Sequence, residues 1–323
     1  MAVNQPAKTA APRAPAPREA KSGRRCAVLG VVGRTNVGKS TLVNRLVGEK
    51  ISIVSPVVQT TRNTIRGIFT DARGQLVFVD TPGLHKSEST LGTLMNRMAR
   101  HAAANVDALL VVFDGNHPPE IEDDGWMRRA LFAEQPCIFF FNKGDLTPSH
   151  VAEYRELWDK IQAEKQHTRE IPFLHGSAES GDGISELIVA CFHLATPSQE
   201  LLFDADTVTD YPRRLAIADV IREKLFEKIF QEVPHEVGVR VDKIEEKEKT
   251  WRVIATVLIN RASQKGIVLG LKGRTLRYVR RHAEPEIGAM FGVEATLDIW
   301  VKVEKNWMKN FWILRDLGYA GGM

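Results

Sequence analysis

Cysteine is scarce in this sequence. The three present (Cys26, Cys137 and Cys191) are far apart, odd in number and set in apolar contexts. Neither a disulfide framework nor a cysteine zinc site has the spacing it needs, so buried reduced thiols in a reducing cytosol are expected. Long apolar runs are also missing. Runs such as those at residues 109–113 and 137–141 are only about strand length, whereas a membrane-spanning helix needs about 20 apolar residues. No transmembrane segment is therefore expected. The first 25 residues lack the apolar core of a secretory signal, and Pro6, Pro12, Pro15 and Pro17 would break an amphipathic targeting helix. Their expected state is a disordered basic tail rich in Ala and Pro. No internal repeat is present.

A strong net charge is absent too: 323 residues carry only +4. The total hides an uneven distribution. Residues 1–25 hold six basic and one acidic residue, residues 26–200 hold 17 and 21, and residues 201–323 hold 21 and 18. At roughly 150 residues per domain, the length suggests two domains.

From residue 26 apolar runs of strand type (27–32, 76–79, 108–113, 136–141 and 171–174) alternate with helical periods (39–47, 91–104, 123–133, 154–164 and 184–194). That rhythm predicts a mostly parallel sheet with helices on both faces, and places functional loops at the carboxyl ends of the strands. It stops at residues 196–212, where Pro, Ser, Asp and Thr concentrate. A helix over 216–230, strands near 237–243 and 251–260, a strand at 295–303 and a closing helix over 306–317 then predict a smaller α+β domain. The expected division is a tail (1–25), a first domain (26–196), a linker (197–211) and a second domain (212–323).

After the first strand comes Gly33-Arg34-Thr35-Asn36-Val37-Gly38-Lys39-Ser40, followed by Thr41. Glycines let such a loop wrap a phosphate with its N–H groups inward, the lysine supplies a point charge for β/γ-phosphates, and the serine offers its hydroxyl to Mg2+. Asp80-Thr81-Pro82-Gly83 closes the second apolar run. An acid there can hold Mg2+ through water, and Gly83 lets its N–H approach a γ-phosphate. Asn142-Lys143-Gly144-Asp145 follows a later strand, and Ser177-Ala178 the next. A carboxylate at Asp145 matches the ring N–H and exocyclic amine of guanine. Adenine would leave it unpaired, and a site built for hydrogen bonds rejects such a ligand strongly. The Lys143 stem would lie along the base. Each motif alone is weak; together and in this order they are the signature of the GTPase superfamily, and imply GTP binding.

Gln59-Thr60-Thr61-Arg62 precedes Asp80, and Thr60 or Thr61 is the candidate to reach Mg2+ when a γ-phosphate is bound. Thr61 joins Lys39, Asp80 and Gly83 as a catalytic candidate, and Ser40 and Asp80 as a candidate metal ligand. Leu84 stands where Ras-like enzymes place the glutamine that orients water. Asn36 is then a candidate ligand for a potassium ion that would supply the missing charge.

Residues 261–281 hold seven basic residues and no acid, around Gly270-Leu271-Lys272-Gly273. In a KH module a G-x-x-G loop clamps about four nucleotides of single-stranded RNA. Lys272, Arg274, Arg277, Arg280 and Arg281 are the phosphate-binding candidates.

Residues 26–323 resemble the Era family of bacterial GTPases with a C-terminal KH domain, within the TrmE-Era-EngA-like group. The resemblance rests on Asn36-Val37-Gly38-Lys39-Ser40-Thr41-Leu42, Gln59-Thr60-Thr61-Arg62, Asp80-Thr81-Pro82-Gly83-Leu84 and Ile221-Arg222-Glu223-Lys224-Leu225. Later stretches are Leu297-Asp298-Ile299-Trp300-Val301-Lys302-Val303 and Leu314-Arg315-Asp316-Leu317-Gly318-Tyr319. Departures are Thr35, in place of the usual proline, and Leu271 with Arg274-Thr275 in the KH loop. The resemblance implies a P-loop GTPase fold with a type II KH domain and Mg2+-dependent conversion of GTP to GDP. It also implies binding of 16S rRNA near its 3′ end, a role in 30S subunit assembly, and loose peripheral attachment to the inner membrane. A monomer in the cytoplasm is expected. Two rivals are a GTP-gated binding module whose hydrolysis is incidental, and a GTPase whose basic segment meets anionic lipid.

Overall fold

A computed structural model of the chain describes residues 23–54, 62–83, 90–229 and 233–319. Thr60, Thr61, Leu84 and Phe230, like nearly all of the basic tail, lie outside them. The elements of the first unit are β1 (Arg25–Val32), α1 (Lys39–Val47), β2 (Ile65–Asp71), β3 (Gly74–Asp80), α2 (Thr90–Ala104) and β4 (Ala108–Asp114). After these come α3 (Ile121–Phe132), β5 (Cys137–Asn142), α4 (Val151–Lys165), β6 (Phe173–His175), α5 (Ile184–Leu194) and the short β7 (Thr196–Pro197). The second unit holds α6 (Arg213–Phe226), β8 (Gly238–Glu246), β9 (Thr250–Ile259), α7 (Gln264–Leu269), α8 (Arg274–Phe291), β10 (Glu294–Val303) and α9 (Phe311–Asp316).

The first sheet runs β2-β3-β1-β4-β5-β6, with β7 pairing the start of β1. It is parallel except for β2 and β7. Strands β3, β4 and β5 are buried along their whole length, which is why they read as continuous apolar runs. Val43, Leu46, Leu187 and Phe192 cover one face, and Trp126, Met127, Tyr154 and Trp158 cover the other. Because β1, β3, β4 and β5 all point one way, their carboxyl ends bring Gly33, Asp80, Asp114 and Asn142 to one rim.

The segment expected as a linker is no free tether. The Ile68 N–H donates to the Val208 carbonyl at 2.8 Å, and Gly67 bridges Thr209, so it lies along the β2 edge. The second sheet, β10-β9-β8, pairs β9 parallel to β10 and antiparallel to β8, and α6 and α8 cover it.

Several details differ from the sequence expectation. Strand β2 was not expected; it is the sheet's edge strand, and only part of it is buried. Helix α7 was not expected either, being one and a half turns long. Helix α6 begins three residues before position 216, directly after Pro212. The closing helix is shorter than 306–317, because Asn306 adopts φ 59 and Trp307 turns inward to be fully buried. Asn310 then caps α9, its side chain accepting from the Trp312 and Ile313 N–H groups.

The two units share an apolar junction. Leu91 and Met95 of α2 meet Leu258, Trp307, Leu314, Leu317 and Tyr319 of the second unit.

Candidate functional site

Gly33 and Gly38 open the loop between β1 and α1 in conformations that side chains avoid, with φ 152 and φ 93. A Cβ on Gly33 would stand 2.3 Å from the Val112 carbonyl oxygen, and one on Gly38 would stand 2.3 Å from Asn142 Nδ2. The loop is therefore tight against β4 and β5 and can close only with glycine. Lys39 is buried and curls over it, Nζ donating to the Arg34 carbonyl at 2.6 Å and the Gly33 carbonyl at 3.2 Å. Burial lowers the Lys39 ammonium to about 8, against the pull of Asp80. The result is a cation and a helix N-terminus at one tight glycine turn, which suits a phosphate chain.

Ser40 Oγ donates to Asp80 Oδ2 at 2.8 Å. Asp80 is fully buried; burial pushes its carboxyl above the ordinary range, while Ser40 and Lys39 oppose the rise. Its Oδ1 is buried without a hydrogen-bond partner. A hydroxyl, an ionisable carboxylate and an orphaned oxygen beside a phosphate loop form an oxygen donor set that suits Mg2+. Among the described residues no group of three His, Cys, Asp or Glu side chains forms a self-sufficient metal site. Thr81 Oγ1 donates to the Val31 carbonyl at 2.9 Å, and a Cβ on Gly83 would meet Thr35 Cα at 2.8 Å, so the D-x-x-G turn seats directly on the phosphate loop. Pro82, between them, is buried.

Asn142 ties three loops together. Its Nδ2 donates to the Val37 carbonyl at 2.8 Å and its Oδ1 accepts from the Ala178 N–H at 2.9 Å. Ser177 Oγ accepts from the Glu179 and Ser180 N–H groups, both at 3.1 Å, holding that turn closed. Asp145 is exposed beside it, with its carboxylate open to a base. Sequence reasoning missed Arg45. From α1 its Nε donates to the Ala178 carbonyl at 2.9 Å and Nη2 reaches the Glu179 carbonyl. It also missed the anchorage of Arg34, which pairs with Asp123 and Glu120, each at 3.1 Å. No local pattern announces either, since the partners lie 86 or more positions away.

In the second unit, Gly270 (φ 69), Lys272 (φ 50) and Gly273 (φ 74) all take positive φ, producing a tight turn between α7 and α8. A Cβ on Gly270 would stand 2.3 Å from Thr275 Oγ1. Leu271 is 72% exposed at the tip. Arg274, Arg277 and Arg281, spaced by three and four, share one face of α8, while Arg280 lies further round. Arg261 pairs with Glu236 at 3.4 Å. Among the described residues, Lys272, Arg274, Arg277, Arg280 and Arg281 form no ion pair, so their charge is free for an external anion.

The nucleotide-type loops at the carboxyl rim make the first unit a P-loop GTPase domain, and the three-stranded sheet backed by α6 and α8, with its glycine turn between α7 and α8, makes the second a KH domain. A family model described as "50S ribosome-binding GTPase" matches residues 28–143, and one described as "KH domain" matches residues 232–308. The chain belongs to the Era GTPase family. It is similar to GTPase Era of Crocosphaera subtropica (37% identical over 304 residues, 94% of each chain). It is likewise similar to GTPase Era of Leuconostoc citreum (38% over 303 residues, 93% of this chain and 98% of that one). Among solved structures it resembles Era in complex with MgGDPNP and nucleotides 1506–1542 of 16S ribosomal RNA. That match has a TM-score of 0.84 and 29% identity, covering 92% of this chain and 99% of that one. A point variant of Aquifex aeolicus Era bound to GDP.AlF4- superposes with TM-score 0.83 at the same identity and coverage. The chain is accordingly a GTPase with a KH domain.

Proposed function

We propose that the chain is a nucleotide-switched RNA-binding factor of small-subunit assembly. GTP and Mg2+ would sit at the carboxyl rim, and the KH loop would grip 16S rRNA near its 3′ end. Lys39 would neutralise β/γ-phosphate charge, Ser40 and Thr61 would bind Mg2+ directly, and Asp80 would act through water. Asn142 would brace the base pocket, in which Asp145 selects guanine. Mg2+ when bound supplies charge neutralisation along the transferring phosphoryl group. Residues 270–274, with Arg277, Arg280 and Arg281, would hold the RNA. The working boundaries are 26–196 for the GTPase domain and 212–323 for the KH domain, acting as a monomer in the cytoplasm.

The observation that carries this reading is the free arginine face of α8 next to the glycine turn, on the same chain as a phosphate cradle. One matching family description names the 50S ribosome, but it covers only part of the first domain. The neighbour that matches both domains holds small-subunit RNA. The test is equilibrium binding of a 3′-terminal 16S rRNA oligonucleotide, with a non-hydrolysable GTP analogue or with GDP. Binding should be tighter with the analogue and lost in Gly273→Asp. Equal binding to an unrelated oligonucleotide would refute the assignment.

Peripheral contact with the inner membrane belongs to the same reading. No helix among the described residues is long and apolar enough to cross a membrane.

A further inference from the structure

Asp114 ends β4, directly across from Asn142 in the register of β4 and β5, and has no part in the roles argued above. Its side chain is 4% exposed, yet three cationic or ionisable groups face it. Lys143 Nζ stands 2.6 Å from Asp114 Oδ2, His117 Nδ1 stands 3.1 Å away, and Arg34 Nη2 stands 3.9 Å away. Asp114 Oδ1 accepts from the Asn116 N–H at 3.1 Å, so the carboxylate is held at both oxygens. Burial would raise its pKa, but Lys143, by hydrogen bond and charge, together with Asn116 and His117, holds it below the usual carboxylate range. Asp114 is thus a fixed negative charge at neutral pH.

Lys143 is the lysine of the base loop, and its backbone sits at φ 67, a left-handed conformation uncommon for a residue with a side chain. Such outliers persist where the surroundings over-determine them. Here the surroundings are the Gly144 N–H bond to the Gly176 carbonyl at 2.9 Å and the Asp114–Lys143 pair. A lysine stem with a free ammonium samples many rotamers and loses that freedom when a ligand lies along it. Anchoring the ammonium beforehand removes that cost from binding.

We propose that Asp114 is a positioning residue for guanine nucleotides, fixing the Lys143 stem as the wall against which the base lies. The same carboxylate also faces Arg34, so one buried charge serves both the base loop and the phosphate loop. The inference rests on the guanine-site reading given above, and its test separates the two.

The test is equilibrium binding of a fluorescent GDP analogue and of GTP to the full chain and its variants. Asp114→Asn, which keeps the shape and removes the charge, should weaken both nucleotides about tenfold. The loss should fall on KM rather than kcat. Lys143→Met should weaken them at least as much, and the double variant should be no weaker than Lys143→Met alone. Inosine diphosphate should lose the same factor as GDP, because the stem touches the face of the base and not its amine. Unchanged affinity in Asp114→Asn, losses that multiply in the double variant, or a changed GDP-to-inosine ratio would each overturn the proposal. If Asp114→Asn folds poorly, the double variant, which removes both charges, is compared with Lys143→Met, and a further loss of affinity overturns it. Asp145→Asn is the separate arm: if it leaves GDP affinity intact, the guanine-site reading fails whatever Asp114 does.

Discussion

Arg62 of the GTPase domain donates from Nη1 to the carbonyl oxygen of Val237 in the KH domain, at 2.7 Å. Its Nη2 donates to the Pro234 carbonyl at 3.0 Å, and the guanidinium lies 5.7 Å from the Phe226 ring and 6.0 Å from the Tyr319 ring. The next residue, Asn63, donates to Tyr211 Oη at 2.7 Å, and that hydroxyl donates to Asp219, which pairs with Arg222. Lys50 pairs with Glu223 and Glu286 of the KH domain at 2.9 and 2.7 Å. The chain entering residues 55–61 and the chain leaving them are therefore both fastened to the KH domain.

Replacing Arg62 by alanine strands two buried carbonyls and removes a cation from a tight junction. Stability to urea should fall by about 3 kcal/mol. Arg62→Lys should recover less than half of it, since an ammonium cannot reproduce the fork. A midpoint unchanged within error in Arg62→Ala would mean that the junction does not form in solution.

Leu84 cannot orient a water molecule, and Asn36 holds a positive φ of 61 inside the phosphate loop. If a potassium ion at Asn36 supplies transition-state charge, kcat in potassium should exceed that in sodium by roughly tenfold at equal ionic strength. Asn36→Ala should abolish the difference. Equal rates in the two salts would remove the cation from the mechanism.

The free arginines of α8 predict a salt-dependent grip. Arg274→Ala, Arg277→Ala and Arg281→Ala should each weaken RNA binding across sequences. Each should reduce the slope of log affinity against log salt by about 0.7, as expected for one phosphate on a single strand. Titrations at several salt concentrations measure this directly. A slope unaffected by any of the three would place the RNA elsewhere.

Burial pushes the Cys137 and Cys191 thiols up, to about 11 and about 12, from an ordinary value of 9.0. The folded state then keeps protons that the unfolded chain releases, so stability should decline as pH rises from about 9 towards 11. At pH 8 the folded chain should be inert to a thiol reagent, and three thiols should react on unfolding. Rapid labelling of the native protein would contradict the burial of Cys26, Cys137 and Cys191.

The parts of the site legible in the sequence are those in which chemistry and spacing share one short stretch. Gly33 to Ser40, Asp80 to Gly83, Asn142 to Asp145 and Gly270 to Gly273 each need particular residues at fixed offsets, because one turn must meet one ligand group. The alternating buried strands were legible for the same reason, as continuous apolar runs. Arg62, Arg45 and Asp114 were not. Arg62 and Val237 are 175 positions apart, and Arg45 and Ala178 are 133 apart. Asp114 and Lys143 meet only because β4 and β5 are neighbours in the sheet. The closing helix was misjudged because the burial of Trp307, under Gly238 of β8, outweighs its local helical pattern.

In the GTP-bound state the chain is expected to hold small-subunit rRNA through its KH loop. Crosslinking of the chain to total cellular RNA, with a non-hydrolysable GTP analogue and in parallel with GDP, tests it most directly. Crosslinks should concentrate near the 3′ end of 16S rRNA, be stronger with the analogue and disappear in Gly273→Asp. Crosslinks spread over other RNAs, or unchanged in that variant, would contradict it.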